Sequence, residues 1–130
     1  MAVFKYDHLH VTSPDPTRLL ELCQKAMGAK ITREQTLASG ARSWDVDLGG
    51  LVIRISGSTG ADEALKKEGK SVTGLHHLAF AVNDLGEATA GLLQRGATFL
   101  MPPTEPSPGN KVAFMRTAEG ALFELLERKP

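Results

Sequence analysis

The alternation of apolar and polar positions predicts the same short series of elements twice along the chain. Residues 3–11 alternate and are rich in β-branched and aromatic side chains, as are residues 75–82, which is the pattern of a half-buried strand. A helical stripe of apolar residues follows the first strand at Leu19, Leu22 and Cys23. Each copy therefore begins with a strand that leads into an amphipathic helix.

Both predicted helices carry signals at their ends. The first, over residues 16–27, has Asp15 in position to accept hydrogen bonds from the free N–H groups at its N-terminus. Gly28 follows its last residue, where a left-handed conformation commonly ends a helix. The second helix is predicted on the same plan over residues 85–95 and ends before Gly96.

Alternating segments joined by turn residues predict a hairpin at the end of each copy. Residues 44–48 alternate with period two, and a Gly-Gly pair that tolerates positive φ connects them to residues 51–56. The second copy is predicted to close with strands over residues 111–116 and 122–127. The proline-rich segment 102–109 is predicted to be a stiff loop.

The two copies are related by a nearly constant offset in sequence. His8 and His77 are 69 positions apart, and residues 50–55 resemble residues 120–125 at a spacing of 70. A constant offset over half of a chain indicates a duplicated structural unit. We therefore predict an α+β fold in which two tandem βαβββ modules form an open, curved, eight-stranded sheet around a cleft.

The predicted organisation is a single domain over residues 1–130. Module one covers about residues 3–56, a linker covers residues 57–73, and module two covers about residues 74–128. Within the linker, the sequence favours a short helix at residues 61–68. A chain of this length is large enough to bury a hydrophobic core.

The composition limits the classes of molecule that this protein is expected to bind. Fifteen basic residues balance fifteen acidic residues without any basic block, so we do not expect nucleic acid to bind. No apolar stretch approaches the roughly 20 residues of a membrane span, and no signal peptide is predicted. Cys23 is the only cysteine, so an internal disulfide is excluded and a cytoplasmic location is expected. The expected partner is a small-molecule substrate.

Strand parity places four polar side chains at equivalent positions of the two copies. Side chains alternate between the faces of a strand, so His8 lies on the face opposite to the apolar one. The same alternation places His77, Arg54 and Glu124 on the polar faces of their strands. We expect these four residues around the cleft, and His10 shares the face of His8.

The two openings and the paired βαβββ plan resemble the vicinal oxygen chelate family. The openings are Asp-His-Leu-His-Val at residues 7–11 and His-His-Leu-Ala-Phe-Ala-Val at residues 76–82. The resemblance covers nearly the whole chain and is greatest to methylmalonyl-CoA epimerase and glyoxalase I. It implies a homodimer and a divalent metal ion, which is Fe, Mn, Co, Ni or Zn.

By this resemblance, the metal ligands fall on His8, His77 and Glu124, and Glu124 is also a candidate catalytic residue. The fourth ligand position, a Glu or Gln in the epimerase and in glyoxalase I, is occupied here by Arg54. A guanidinium has no lone pair to offer, so Arg54 cannot ligate a cation. Two histidines and one carboxylate still form a ligand set for a divalent metal.

Two roles remain open for the arginine, and several for the extra histidine. Arg54 is predicted to bind an anionic group of the substrate, since a guanidinium pairs strongly with carboxylate or phosphate. The alternative is that Arg54 pairs with Glu124 in place of the metal. His10 is predicted to contact the substrate. Alternatively, His10 forms a hydrogen bond with a metal ligand, replaces one of the ligands, or is a strand histidine without a functional role.

Three functions are compatible with this site. The leading prediction is a small metal-dependent isomerase or lyase of the epimerase/glyoxalase type, acting on a carbonyl or thioester substrate by metal-stabilised enolate chemistry. The first alternative is an Fe(II)-dependent extradiol-type dioxygenase that uses a His-His-Glu triad. The second is a metal-free ligand-sequestering protein of the bleomycin-resistance type.

Overall fold

The computed structural model describes residues 2–70 and 73–129 of the chain. Within them the predicted βαβββ series occurs twice, with one further helix between the two copies. The elements are β1 (Phe4–Thr12), α1 (Pro16–Met27), β2 (Lys30–Thr36), β3 (Arg42–Asp47), β4 (Val52–Ser56), α2 (Gly60–Lys67), β5 (Gly74–Val82), α3 (Leu85–Gln94), β6 (Thr98–Ser107), β7 (Asn110–Arg116) and β8 (Leu122–Arg128). No helix among the described residues is both long enough and apolar enough to cross a bilayer.

The strands form one open, mixed sheet in the order β2-β3-β4-β1-β5-β8-β7-β6. The first and last strands of each copy pair in parallel, β1 with β4 and β5 with β8, and the hairpin strands pair antiparallel. The two parallel pairs have corresponding registers, because His10 lies opposite Arg54 and Ala79 lies opposite Glu124. The predicted α+β class and eight-stranded sheet are confirmed.

The chain divides into two compact units, and the boundaries fall inside β1 and β5. The His8–His76 unit is continuous, and the His77–Pro130 unit also includes Met1–Asp7. The modules predicted from the repeat, residues 3–56 and 74–128, stay a prediction. Residues 71 and 72 of the predicted linker, and residues 1 and 130 of the predicted domain, lie outside the described residues.

The His8–His76 unit buries the apolar face of its strands against α1. The helix spans the predicted residues, with Asp15 accepting a hydrogen bond from the Arg18 backbone N–H and Gly28 left-handed at φ 69°. The predicted apolar stripe was wrong at Leu22, which is 51% exposed, while Leu20 is buried instead. A core cluster joins the helix to the strands and is formed by Leu20, Cys23, Ala29, Trp44, Val46 and Ile55. Trp44 and Val46 of β3 and Ile55 of β4 occupy this face. Side chains alternate along a strand, so the residues next to these three in β3 and β4 point to the other face.

The His77–Pro130 unit repeats this arrangement with α3. Its core cluster consists of Val82, Leu85, Ala88, Ala113, Met115 and Leu125. Glu127, two residues beyond Leu125, accepts a hydrogen bond of 2.8 Å from the Leu85 backbone N–H at the start of the helix. The parity of β8 therefore sends Leu125 and Glu127 toward the helix and Glu124 to the opposite face.

The prediction of a loop over residues 102–109 was wrong for most of that segment. β6 continues to Ser107 and lies at the edge of the sheet, where it has one neighbouring strand. An edge strand tolerates its three prolines because their missing N–H groups can face away from the neighbour. Register shifts along the β6–β7 pairing accompany this proline-rich stretch. The predicted ends of the helices agree with the structure to within one residue.

Candidate functional site

In the His77–Pro130 unit, the predicted ligands His77 and Glu124 are in contact. Their side chains share the face of β5 and β8 that is opposite to the core, and they are 3% and 8% exposed as residues. His77 Nε2 lies 3.1 Å from Glu124 Oε1. The ring of Phe114 packs edge-on against the imidazole at 5.1 Å between centroids. Burial and this packing restrict the orientation of the imidazole.

In the His8–His76 unit, His8 and His10 lie side by side on the polar face of β1. Both are almost fully buried, and their rings approach edge-on at 5.9 Å between centroids. His10 Nε2 is 2.6 Å from Ser56 Oγ, which donates its own proton to the Gly57 carbonyl at 2.9 Å. Because a hydroxyl has one proton and Ser56 gives its own to Gly57, the Ser56 oxygen is the acceptor for a proton on His10 Nε2.

Among the described residues, His8, His10 and His77 are the three histidines that could hold a metal ion. His8 and His77 were predicted as ligands from the sequence, and His10 was predicted as a substrate contact with a ligand role as an alternative. The candidate ligands therefore include one more imidazole than the predicted set.

These donors fit a divalent transition-metal ion. The 3.1 Å between His77 Nε2 and Glu124 Oε1 is the distance expected for neighbouring ligands of one ion. Imidazole and carboxylate donors suit Fe, Mn, Co, Ni and Zn, so the donor chemistry does not select among them.

Arg54 is held by a carboxylate that the sequence interpretation did not consider. Its Nε donates to Asp45 Oδ1 at 2.7 Å and its Nη2 to Asp45 Oδ2 at 3.2 Å, a bidentate pair with both side chains buried. Arg54 lies opposite Asp45 in the antiparallel pairing of β3 and β4. The sequence contained a signal for this contact, because a turn centred between Gly49 and Gly50 places positions 45 and 54 opposite each other.

The contact of His76 with Asp62 is a second one that the sequence interpretation did not predict. His76 Nε2 is 3.0 Å from Asp62 Oδ1, and both residues are buried. The other carboxylate oxygen accepts from the Thr59 backbone N–H in a capping box at the start of α2. The His76 ring lies 6.0 Å from the ring of His10 between centroids. The Thr-x-x-Asp spacing was the sequence signal for the cap, but nothing local indicated the histidine.

The comparisons with known proteins agree with this fold. A model of the Glyoxalase/Bleomycin resistance protein/Dioxygenase superfamily matches residues 5–125. A hypothetical protein from Bacillus halodurans is 22% identical, with a TM-score of 0.74 over 98% of this chain and 96% of that one. A variant methylmalonyl-CoA epimerase from Streptomyces coelicolor, in complex with 2-nitronate-propionyl-CoA, is 23% identical, with a TM-score of 0.73 over 97% of this chain and 98% of that one.

A methylmalonyl-CoA epimerase from Mycobacterium tuberculosis is also similar in structure. It is 21% identical, with a TM-score of 0.71 over 96% of this chain and 88% of that one. No curated protein sequence matches the chain. At these identities the solved structures establish the fold, while the family model covers most of the chain.

Proposed function

Because the chain belongs to the glyoxalase/bleomycin resistance protein/dioxygenase superfamily, we propose that it is a small metal-dependent isomerase or lyase of the epimerase/glyoxalase type. Its substrate is a carbonyl or thioester compound with an anionic group. The observations that carry this proposal are the buried His8 and His10 in one unit and the buried contact of His77 with Glu124 in the other. Imidazole and carboxylate side chains are ligands that divalent transition metals commonly take in proteins.

In this proposal His8, His77 and Glu124 hold the ion. When bound, a divalent ion supplies Lewis acidity to a carbonyl oxygen and favours loss of a proton from the neighbouring carbon. Glu124 is the candidate catalytic residue, because a buried carboxylate can accept a proton from that carbon and return it.

The other two predicted residues bind substrate in this proposal. His10 is held on the polar face of β1 by the contact of its Nε2 with Ser56 Oγ at 2.6 Å. Arg54 is oriented by Asp45, which leaves part of its guanidinium for an anionic group. A structure of methylmalonyl-CoA epimerase in complex with methylmalonyl-CoA shows a protein of this fold with an anionic thioester. This likeness supports an anionic thioester as the first substrate to test.

The test is metal binding followed by proton exchange. Untagged protein is treated with chelator and titrated separately with Fe, Mn, Co, Ni and Zn. We expect one ion per chain for at least one metal, and metal-dependent incorporation of deuterium from solvent into methylmalonyl-CoA. The chelated protein is the control. Stoichiometric iron with oxygen uptake on a catechol would replace the proposal with the dioxygenase alternative, and binding of none of the five metals would favour ligand sequestration.

The protein is further proposed to be a cytoplasmic homodimer. The reason is the resemblance to single-chain members of the family, and the exposure of Phe4 and Tyr6 on β1 is consistent with a covered face. We expect sedimentation at micromolar concentration to give twice the monomer mass of 13.9 kDa. A monomer mass at that concentration would reject the dimer without affecting the metal site.

A further inference from the structure

Three hydroxyl residues form a row across neighbouring strands of the His8–His76 unit. Thr12 of β1 pairs with Ser56 of β4, and Ser56 pairs with Ser43 of β3. All three are buried, with exposures of 6% for Thr12 and 0% for both serines. They lie on the face of the strands that is opposite to Trp44 and Ile55, the face that also carries His10 and Arg54.

Only the middle hydroxyl of this row has its hydrogen bonds satisfied. Ser56 Oγ accepts from His10 and donates to the Gly57 carbonyl. Thr12 Oγ1 and Ser43 Oγ are buried without a hydrogen-bond partner among the described residues. Two such groups on one face are unusual, because most buried polar side-chain atoms in folded proteins are hydrogen-bonded.

The neighbouring row of the same face contributes further donors. Arg54 and Ser56 are two residues apart on β4, so their side chains are on the same face, about 7 Å apart along the strand. A guanidinium has five N–H donors, and Asp45 accepts from two of the nitrogens, which leaves about three N–H groups for another acceptor. The face therefore has more donors than its own acceptors use.

We propose that Thr12, Ser43 and Arg54 form a subsite for a carboxylate group of the substrate. Donors without acceptors are complementary to a group that only accepts, and a carboxylate accepts at about four positions, twice as many as a neutral carbonyl. The N–H groups of Arg54 that Asp45 does not use are charged donors, which form strong hydrogen bonds with a carboxylate. Because Asp45 already balances the charge of Arg54, a monoanion adds less uncompensated charge to the subsite than a phosphate dianion.

This inference deepens the proposed function, because it assigns the substrate to the carboxylic acids. It also accounts for the two hydroxyl groups that the fold itself does not use. A polar group held without a partner lowers stability, and such a cost is common where a site must wait for its ligand. Replacing either hydroxyl by an apolar group of similar shape should then raise stability and weaken ligand binding at the same time.

The experiment is an NMR titration of the full chain with acetate after treatment with chelator, so that no ion competes for the carboxylate. The probe signal is the Arg54 Nε–Hε resonance, which is protected by its hydrogen bond to Asp45. Acetamide, a neutral molecule of the same shape, and inorganic phosphate are titrated in parallel. We expect acetate to shift this resonance with saturation, and acetamide and phosphate to bind at least 10-fold more weakly.

The variants Thr12→Val and Ser43→Ala test the two hydroxyls. Each should weaken acetate binding by about 5-fold to 10-fold, as expected for loss of one hydrogen bond to a charged group. Each should also raise the melting temperature by about 2–4 °C, since an unsatisfied polar group is removed. Thr36→Val, at the exposed end of β2, is the matched control and should change neither quantity.

Several outcomes would overturn the subsite. These are no saturable shift with acetate, equal binding of acetamide, equal or tighter binding of phosphate, wild-type acetate affinity in both variants, or a fall in melting temperature in both. The subsite and the proposed function can fail separately. If the protein binds acetate but takes up no metal, the subsite is supported and the proposed enzyme activity is rejected. If the protein shows metal-dependent exchange but does not bind acetate, the activity is supported and the subsite is rejected.

Discussion

Asp45→Asn is expected to lower the free energy of unfolding by about 3–5 kcal/mol, because it leaves the Arg54 guanidinium buried without a counter-charge. The two side chains are only 7% and 11% exposed and form two direct hydrogen bonds, so water cannot replace the lost carboxylate. Arg54→Gln should be destabilising by a similar amount, since it leaves Asp45 buried and unpaired. Urea unfolding monitored by circular dichroism measures both changes.

The double variant Asp45→Asn with Arg54→Gln separates a charge effect from a packing effect. It should recover most of the lost stability, because an amide pair carries no uncompensated charge, and the two single effects should be strongly non-additive. Asp47→Asn is the matched control on the same strand, where the amide oxygen can still accept from the Gly50 N–H. A loss below about 1 kcal/mol in Asp45→Asn would show that the pair is solvated like a surface ion pair.

The Arg54–Asp45 pair also explains how an arginine can occupy a metal-ligand position of this family. An unpaired guanidinium beside a divalent cation would oppose its binding through charge repulsion. The bidentate carboxylate makes the pair electrically neutral, so the arginine is compatible with a metal held by the other ligands. Arg54→Gln is accordingly expected to keep or tighten metal binding while it weakens an anionic substrate.

Glu124→Gln is expected to lower metal affinity by about 10-fold to 100-fold and solvent exchange of the substrate proton by about 10²-fold to 10⁴-fold. The amide retains an oxygen donor but loses the negative charge, and it cannot accept a proton near neutral pH. Because the affinity loss is smaller than the rate loss, the exchange is measured at saturating metal. Calorimetric titration gives the affinity, and deuterium incorporation followed by mass spectrometry gives the rate.

Glu127→Gln is the control for this prediction. It makes the same change of charge three residues away on β8, on the face that contacts α3 instead of the polar face. An amide oxygen can still accept from the Leu85 N–H, so stability, metal affinity and exchange should stay close to the wild-type values. Equal losses in both variants would indicate a general effect of charge, and an unchanged exchange rate in Glu124→Gln would remove Glu124 from the catalytic role.

The repeat, the helices and the faces of the strands were accessible from the sequence because each depends on spacing along the chain. The caps of α1 and the alternation around Trp44 are local patterns, and the structure reproduces them. The offset between His8 and His77 pointed to equivalent strands before any contact was known. The contact of His77 with Glu124 follows from the same parity, once β5 and β8 pair in parallel.

Only the tertiary structure determined which polar side chains form hydrogen bonds with each other. His10 and Ser56 are 46 residues apart, and their hydrogen bond depends on the register of β1 against β4. The path of β6 through three prolines was set by its place at the sheet edge and not by local propensity. The partnerless hydroxyls of Thr12 and Ser43 have no sequence signature, because their burial arises only when three separate strands align.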